Sequence, residues 1–336
     1  MHDVMSRRFC VAPMLDCTDR HARYFLRLLS RRAVLYTEMI TANAIIHGDR
    51  DRHLLFSEQE HPLVLQLGGS EPTAMAEAAN IGVSYGYDEI NINVGCPSDR
   101  VQNGSFGACL MAMPDTVAAC VEAMRAKVDV PISVKTRIGI DDADPYTQLE
   151  RLVQAVVAAG CDTLTVHARK AWLKGLSPKE NRNIPPLDYE RVYTLKKEHP
   201  DIEIIINGGI VNLQQCTEHL QKVDGVMLGR EAYRNPWLLA SIDHVIYNET
   251  LTERTRESVV NEMRPYIAKQ LENDIYLNHI TRHMIGLYHG QPGARHWRRT
   301  LSEKSCRAGA GLEVLDEALA YIQSTDPVIK AAANHG

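Results

Sequence analysis

Between residues 11 and 230 the chain alternates short apolar runs with longer amphipathic stretches. Eight of the runs read as strands: Val11–Leu15, Leu35–Ile40, Leu63–Leu67, Glu89–Val94, Ile132–Arg137, Thr163–Ala168, Glu203–Asn207 and Gly225–Arg230. Stretches such as Thr73–Tyr85, Thr116–Lys127, Tyr146–Ala159 and Leu213–Leu220 carry helical periodicity. Several of them open on a proline beside an acidic residue, at Glu71-Pro72, Pro114-Asp115 and Asp144-Pro145. Strand followed by helix, eight times over, with strands apolar almost throughout, predicts an α/β protein of the (β/α)8 TIM-barrel type. A doubly wound open sheet would bring a glycine-rich dinucleotide turn after its first strand, and Val11–Asp19 has no GxGxxG. The alternation stops near Ile246. Beyond it, Glu253–Glu272, His279–Tyr288, Ala294–Lys304 and Leu312–Gln323 all read as helices. The expected organisation is a barrel over residues 1–246 and an all-helical domain over 247–336.

Active sites in such barrels are built from the C-terminal ends of the strands. Here those ends supply, in order, Pro13-Met14-Leu15, Glu38, Gln66, Asn93 with Cys96, Lys135 with Arg137, His167, Asn207-Gly208-Gly209 and Gly229-Arg230. Each single end is weak, because strands commonly stop at polar residues. Together they would converge on one mouth. The two glycine turns follow strands seven and eight, where barrels often bind phosphate, and Arg230 would add charge-assisted hydrogen bonds. Lys135 would need an anionic partner or an electron-rich ring. His167 reads alone as a core histidine, and in this company as a cofactor contact. The stretch Glu89–Leu110 places Cys96 where a strand breaks into a polar loop, and that thiol is either one more buried cysteine or a reactive group.

Composition narrows the setting. The chain has 336 residues, 45% hydrophobic and 24% charged, the balance of an ordinary globular protein. No apolar run approaches a membrane span, and residues 1–8 are not followed by the apolar segment of a signal peptide, so a cytoplasmic location is expected. The eight cysteines form no CxxC pair, which suggests reduced thiols and no metal site. A net charge of −5 argues against indiscriminate nucleic-acid binding yet leaves room for a local basic face. Two segments could supply one. The insertion Arg169–Pro186 carries Trp172, Lys174, Lys179 and Arg182, and reads as either a solvated loop or a surface for an anionic partner. Further on, Arg295, Arg298 and Arg299 share one helical face near Trp297, a phosphate-backbone footprint. His279 and His283 have metal-compatible spacing without an evident third ligand, and read as helix-surface residues. No long apolar surface stripe stands out, so a monomer is expected.

The segments VAPMLDCTDR (11–20), LQLGGS (65–70), NINVGCPSDRVQNGSFGACL (91–110), VKTRIGIDD (134–142), HARKAWLKGLSPKENR (167–182), INGGI (206–210), GVMLGREAYRNP (225–236) and ITRHMIGLYHGQPGARHWRR (280–299) resemble the tRNA-dihydrouridine synthase family, most closely its A-type bacterial subfamily. One departure is Cys17, where the family would carry an aromatic residue. The resemblance implies an FMN-bound TIM barrel with a helical C-terminal domain, reducing D-loop uridines at positions 20 and 20a of tRNA with NADPH. It implies flavin contacts from Pro13, Met14, Leu15, Gln66, Lys135, His167, Asn207, Gly208, Gly209, Gly229 and Arg230. Cys96 would be the catalytic acid and Asn93 would touch the uracil. Lys179, Arg182, Arg295 and Arg298 would contact the tRNA.

The chemistry asked of these residues is coherent. Reducing the C5=C6 bond of uridine needs a hydride at C6, which flavin N5 can give, and a proton at C5. A free thiol is ordinarily protonated at neutral pH and can deliver that proton. Lys135 would steady negative charge on the flavin. The target base must leave its stack, which costs less in an RNA loop than in a duplex. No second nucleotide motif is evident, so NADPH and tRNA are expected to take turns at one face. Residues Ser98–Gly107 read as a lid over that face. Two rivals share parts of this pattern. A flavin barrel acting on free pyrimidines, such as a dihydroorotate or dihydropyrimidine dehydrogenase, would have no use for the arginine-rich helices. A non-catalytic RNA-binding barrel would leave Cys96 and the polar strand ends unexplained.

Overall fold

A computed structural model describes residues 5–98, 101, 104–251 and 253–325. By internal packing the chain forms two compact units, one built from the chain up to Thr18 together with Ala33–Gly229, the other from Asp19–Arg32 and the chain from Arg230 onward. The helix that follows the first strand thus groups with the C-terminal helices.

The first unit is a closed parallel barrel. Its strands are β1 (Phe9–Val11), β2 (Val34–Tyr36), β3 (Ile40–Thr41), β4 (Leu63–Gly68), β5 (Glu89–Val94), β6 (Ile132–Arg137), β7 (Thr163–His167), β8 (Glu203–Asn207) and β9 (Gly225–Leu228). β1 pairs with both β2 and β9, and β2 pairs with β4, so the ring closes on eight strands while β3 extends the rim beside β4. This is the (β/α)8 architecture that the alternation predicts. Three strands coincide with their expected limits: β5, β6 and β8. The first does not. It ends at Val11 instead of Leu15, because Pro13 has no N–H to give and Asp16 takes a left-handed turn (φ 61°) that leads the chain out of the ladder. The segment Leu35–Ile40 likewise divides between β2 and β3, and the last strand stops at Leu228, short of the expected Arg230.

Alternation along each strand turns every second side chain into the barrel, and different strands contribute an apolar and a polar set there. Cys10, Ala12, Val34, Tyr36, Val64, Ile205 and Met227 form a buried apolar cluster. Opposite them, Gln66, Glu89, Asn91, Asn93, Ser133 and Thr165 fill the interior with polar groups, all buried. Arg7 plugs the barrel floor, its guanidinium paired with Glu89 at 2.6 Å and Glu203 at 2.8 Å.

The second unit is helical, with Arg20–Leu29, Arg256–Glu272, Leu277–Thr281, Ala294–Lys304 and Glu313–Thr325 as its main pieces. Tyr24 stacks on Tyr266 with ring centroids 3.9 Å apart. Asp243 accepts from the backbone N–H groups of Arg31 at 2.8 Å and Arg32 at 3.2 Å, tying down the end of the first helix. The expected helix His279–Tyr288 gives way after Thr281 to a run of tight turns. Gly286 there lies so close to the Arg234 carbonyl that a β-carbon would sit 2.4 Å from it. Among the described residues no helix is long and apolar enough to cross a membrane.

Candidate active site

The C-terminal rim of the barrel links several of the residues that the strand ends singled out, Gln66 with Asn93, Lys135 with Asn207 and His167 with Gly208. Asn93, at the end of β5, turns its Oδ1 to the backbone N–H groups of Gly95 (3.1 Å) and Cys96 (3.0 Å), which shapes the break from strand to loop. Its Nδ2 donates to Gln66 Oε1 at 2.8 Å, so the two amides are joined. The Cys96 thiol is half-buried and lies 3.6 Å from Ser98 Oγ. Of the Ser98–Gly107 segment, residues 99, 100, 102 and 103 lie outside the described residues.

Lys135 projects from β6 and donates to Asn207 Oδ1 at 3.2 Å, while Asn207 Nδ2 donates to the Met227 carbonyl at 2.7 Å. Burial, followed by the nearby Arg137 guanidinium, pulls the Lys135 ammonium down to about 7. Arg137 is itself lowered to about 10 by burial, with Arg182 and Arg169 adding like charge. Arg137 therefore sits among like charges, with Lys135, Arg169 and Arg182 all within reach of it. Such a cluster is costly alone and favourable around an anion.

The glycine turn after β8 is a cradle that side chains would fill. Gly208 has φ +114°, and a β-carbon on it would lie 2.5 Å from His167 Cδ2. Gly209 has φ +71° and faces Leu187 and the Tyr189 hydroxyl. Tyr189 donates to the Gly208 carbonyl at 2.7 Å, which holds the turn open. Gly229 follows β9, where a β-carbon would meet Met14 Sδ at 3.5 Å. Pro13, Met14 and Leu15 form the turn beyond β1. There Thr18 Oγ1 accepts from the Met14 N–H at 3.0 Å, Glu38 accepts from the Asp16 N–H, and Leu15 is left 74% exposed. Arg230 opens the short helix Arg230–Arg234 and belongs to the second unit.

Arg137 is the residue to which sequence reasoning assigned no role. It is buried and spans three segments, donating Nε to the Gly95 carbonyl (2.9 Å) and Nη1 to the carbonyls of Lys170 (2.9 Å) and Asn181 (3.1 Å). It thereby fastens the Cys96 loop to the basic insertion. Asn181 fastens the insertion to itself, accepting from Trp172 N–H at 2.7 Å and donating to the Trp172 and Leu176 carbonyls. Their position at a strand end and inside a KENR run was the only signal available. Lys179 and Arg182 flank this anchor, Arg182 closing the short turn Glu180–Arg182.

In the helical unit, Arg295 and Arg298 are exposed on Ala294–Lys304, and neither has an ion pair among the described residues. Arg299 instead pairs with Glu303 at 3.0 Å. Trp297 is not part of that footprint. It is wholly buried and donates to the Met284 carbonyl at 3.0 Å, because the opposite face of the same helix packs inward. His283 is not a surface residue either. It is buried against Asp19 (Nε2 to Oδ2, 3.0 Å) and Tyr233 (Nδ1 to hydroxyl, 3.1 Å), partners far away in sequence. Among the described residues no three His, Cys, Asp or Glu side chains cluster to hold a metal.

A closed parallel barrel whose mouth combines a tight glycine turn, buried amides and clustered cations beside a thiol fits the class of barrel oxidoreductases. The fold is similar to that of a 2-naphthoyl-CoA reductase complex, at 11% identity and a TM-score of 0.53 over 70% of this chain and 49% of that one. Residues 10–323 match the family Dihydrouridine synthase (Dus). The chain is 57% identical over 320 residues to a tRNA-dihydrouridine(20/20a) synthase of Shewanella oneidensis, covering 95% of each. It is 58% identical over 318 residues to the Escherichia coli K12 protein of the same description (94% and 92% covered), and 57% identical to that of Vibrio cholerae (94% and 97%). The chain belongs to the dihydrouridine synthase family, oxidoreductases that reduce uridine in tRNA. Membership separates it from the dehydrogenases of free pyrimidines and from a non-catalytic RNA-binding barrel.

Proposed function

We propose that this chain reduces the C5=C6 bond of the D-loop uridines at positions 20 and 20a of tRNA, using FMN and NADPH. The observation that carries the reading is the rim itself, where Lys135 is lowered to about 7 beside Arg137 and donates to Asn207, which opens the glycine turn after β8. These residues fit a flavin phosphate and an electron-rich ring. The turn Asn207–Gly209 with Gly229 and Arg230 would hold the phosphate. Gln66, Lys135 and His167 would meet the ring system, and Pro13, Met14 and Leu15 would wall its edge. Bound FMN supplies the hydride for C6 of the base, replenished from NADPH.

The chain's own residues do the rest. Asn93 offers its amide to the flipped uracil. Cys96 gives its proton to C5 as charge builds there, and Lys135 balances negative charge at the ring. Lys179 and Arg182 on the insertion, with Arg295 and Arg298 on the helical unit, meet the RNA backbone. Residues 1–246 carry the catalysis together with the Lys179 and Arg182 contacts, and 247–336 the remaining tRNA contacts, in a cytoplasmic monomer.

Flavin-loaded Cys96→Ala tests the assignment. It should oxidise NADPH normally yet form dihydrouridine at no more than about one hundredth of the normal rate, the lower range for loss of a general acid. Near-normal dihydrouridine formation would remove Cys96 from the proton step. Sequencing tRNA from a deletion strain should show unmodified uridine at positions 20 and 20a. Unmodified uridine elsewhere would overturn the position assignment.

A further inference from the structure

A line of side-chain hydrogen bonds runs through the polar half of the barrel, from its floor to the Cys96 loop. At the floor Arg7 Nε donates to Glu89 Oε2 at 2.7 Å, and Ser133 Oγ donates to the other oxygen, Oε1. Asn91 Nδ2 then donates to Ser133 Oγ at 2.8 Å. Gln66 Nε2 donates to Asn91 Oδ1 at 2.8 Å, and Asn93 Nδ2 to Gln66 Oε1 at 2.8 Å. Asn93 Oδ1 closes the line by accepting the N–H groups of Gly95 and Cys96. Glu89, Ser133, Asn91 and Gln66 are all at most 1% exposed, and Asn93 is 8% exposed at the mouth.

The direction of this line is forced from both ends. Backbone N–H groups only donate, so Asn93 must show them its oxygen. A guanidinium only donates, so Glu89 Oε2 accepts; burial pushes the Glu89 carboxyl up, while Arg7 and the Ser133 hydroxyl draw it back toward the ionised form that accepts on both oxygens. Turning any one of the three amides between them would set N–H against N–H on one side and oxygen against oxygen on the other, among side chains closed off from bulk solvent. The consequence reaches the mouth. Asn93 Oδ1 is filled by two backbone donors, so what Asn93 has left for a ligand is an N–H. Such a group matches a base edge that presents a carbonyl oxygen and opposes one that presents an amino group.

We infer that Glu89 is a positioning residue for the reaction: through Ser133 and Asn91 it sets the direction of the Gln66 and Asn93 amides, so that Asn93 meets its ligand as a donor while its oxygen holds the Cys96 loop. The assignment rests on the proposed function for its ligands and on the hydrogen-bond line for its direction. It adds to the mouth a residue at the opposite end of the barrel, which touches neither base nor cofactor.

Two variants cut the line and leave the Arg7–Glu89 pair in place. Ser133→Ala removes the hydroxyl link, and Ser133→Thr restores it. Asn91→Leu removes the middle amide. The measurement is pre-steady-state kinetics on flavin-loaded holoenzyme, with reduction by NADPH and reoxidation by tRNA followed separately through the flavin absorbance. For Ser133→Ala and Asn91→Leu the tRNA step should slow by about three- to ten-fold, the loss of about one hydrogen bond's worth of ordering. Reduction by NADPH and the KM for tRNA should stay within about two-fold, and Ser133→Thr should recover the tRNA step. If wild-type holoenzyme fails to reduce tRNA, the proposed function is at fault. If wild type works and both cut variants match it, the inference is overturned. It is equally overturned if Ser133→Thr loses as much as Ser133→Ala, because the effect is then one of packing.

Discussion

Replacing Lys135 by Met tests whether the barrel mouth is built around an anion. In the ligand-free barrel the Lys135 ammonium falls from the ordinary 10.5 to about 7, chiefly through burial. At about 1.4 kcal/mol per pH unit, that drop costs the folded state up to about 5 kcal/mol when the amine is charged. The side chain keeps partial exposure at the rim, which makes this an upper bound. The sign follows from linkage. Above pH 7 the folded protein sheds this proton and the unfolded chain keeps it until 10.5, so stability rises with pH across that window. From pH 6 to pH 9 the wild type should gain about 3 kcal/mol relative to Lys135→Met, other titrations being common to both. Urea denaturation of flavin-stripped protein at the two pH values measures the difference. Adding flavin to the wild type should flatten the profile, because a bound anion keeps the ammonium charged, and Lys135→Met should bind flavin more weakly. Parallel pH profiles for the stripped wild type and the variant would refute the reasoning.

Other outcomes follow from the same geometry. Gly208→Ala should lose flavin occupancy, since its β-carbon would strike His167 at 2.5 Å in a backbone with φ +114°; full occupancy in that variant would show that the turn is not the cradle. Arg295→Ala combined with Arg298→Ala should weaken tRNA binding and lower its salt slope by about 2, one per phosphate contact; an unchanged slope would place the RNA elsewhere. Burial beside the Tyr266 hydroxyl lowers the His21 imidazole to about 4. The folded protein therefore resists protonation that the unfolded chain accepts, and about 3 kcal/mol of stability should be lost as pH falls from 6.5 toward 4. His21→Gln should remove that part of the slope in thermal melts, and an identical acid profile in the variant would discount His21.

Several features of the site were legible because they depend on local pattern. β5, β6 and β8 matched their expected limits, since each alternates or runs apolar between clear breakers. The strand-end rule then pointed to Gln66, Asn93, Lys135, His167 and Asn207 without any knowledge of contacts. Other residues were misread for an equally physical reason. Arg7 drew no reading at all in its charged N-terminal run, and it is buried because Glu89 and Glu203, far along the chain, neutralise it. His283 looked exposed because its partner Asp19 lies 264 residues away. Trp297 looked like part of a basic face because neighbouring arginines share its segment, although a helix turns successive side chains to different sides.

The sequence by itself determined the barrel, its helical companion and the strand ends that carry Gln66, Asn93, Lys135 and Asn207. Periodicity, breakers and strand ends are properties of neighbours along the chain. Only the tertiary structure decided how those residues act on one another. It brought Arg137 across to the Gly95 carbonyl, packed Gly208 against His167 and joined Glu89 to Cys96 through four side chains and five hydrogen bonds. Those relations run between strands, and closing the sheet into a ring is what makes distant positions adjacent. Direction and charge at the mouth are set by groups that share no local pattern, which is why they appear only once the barrel is closed.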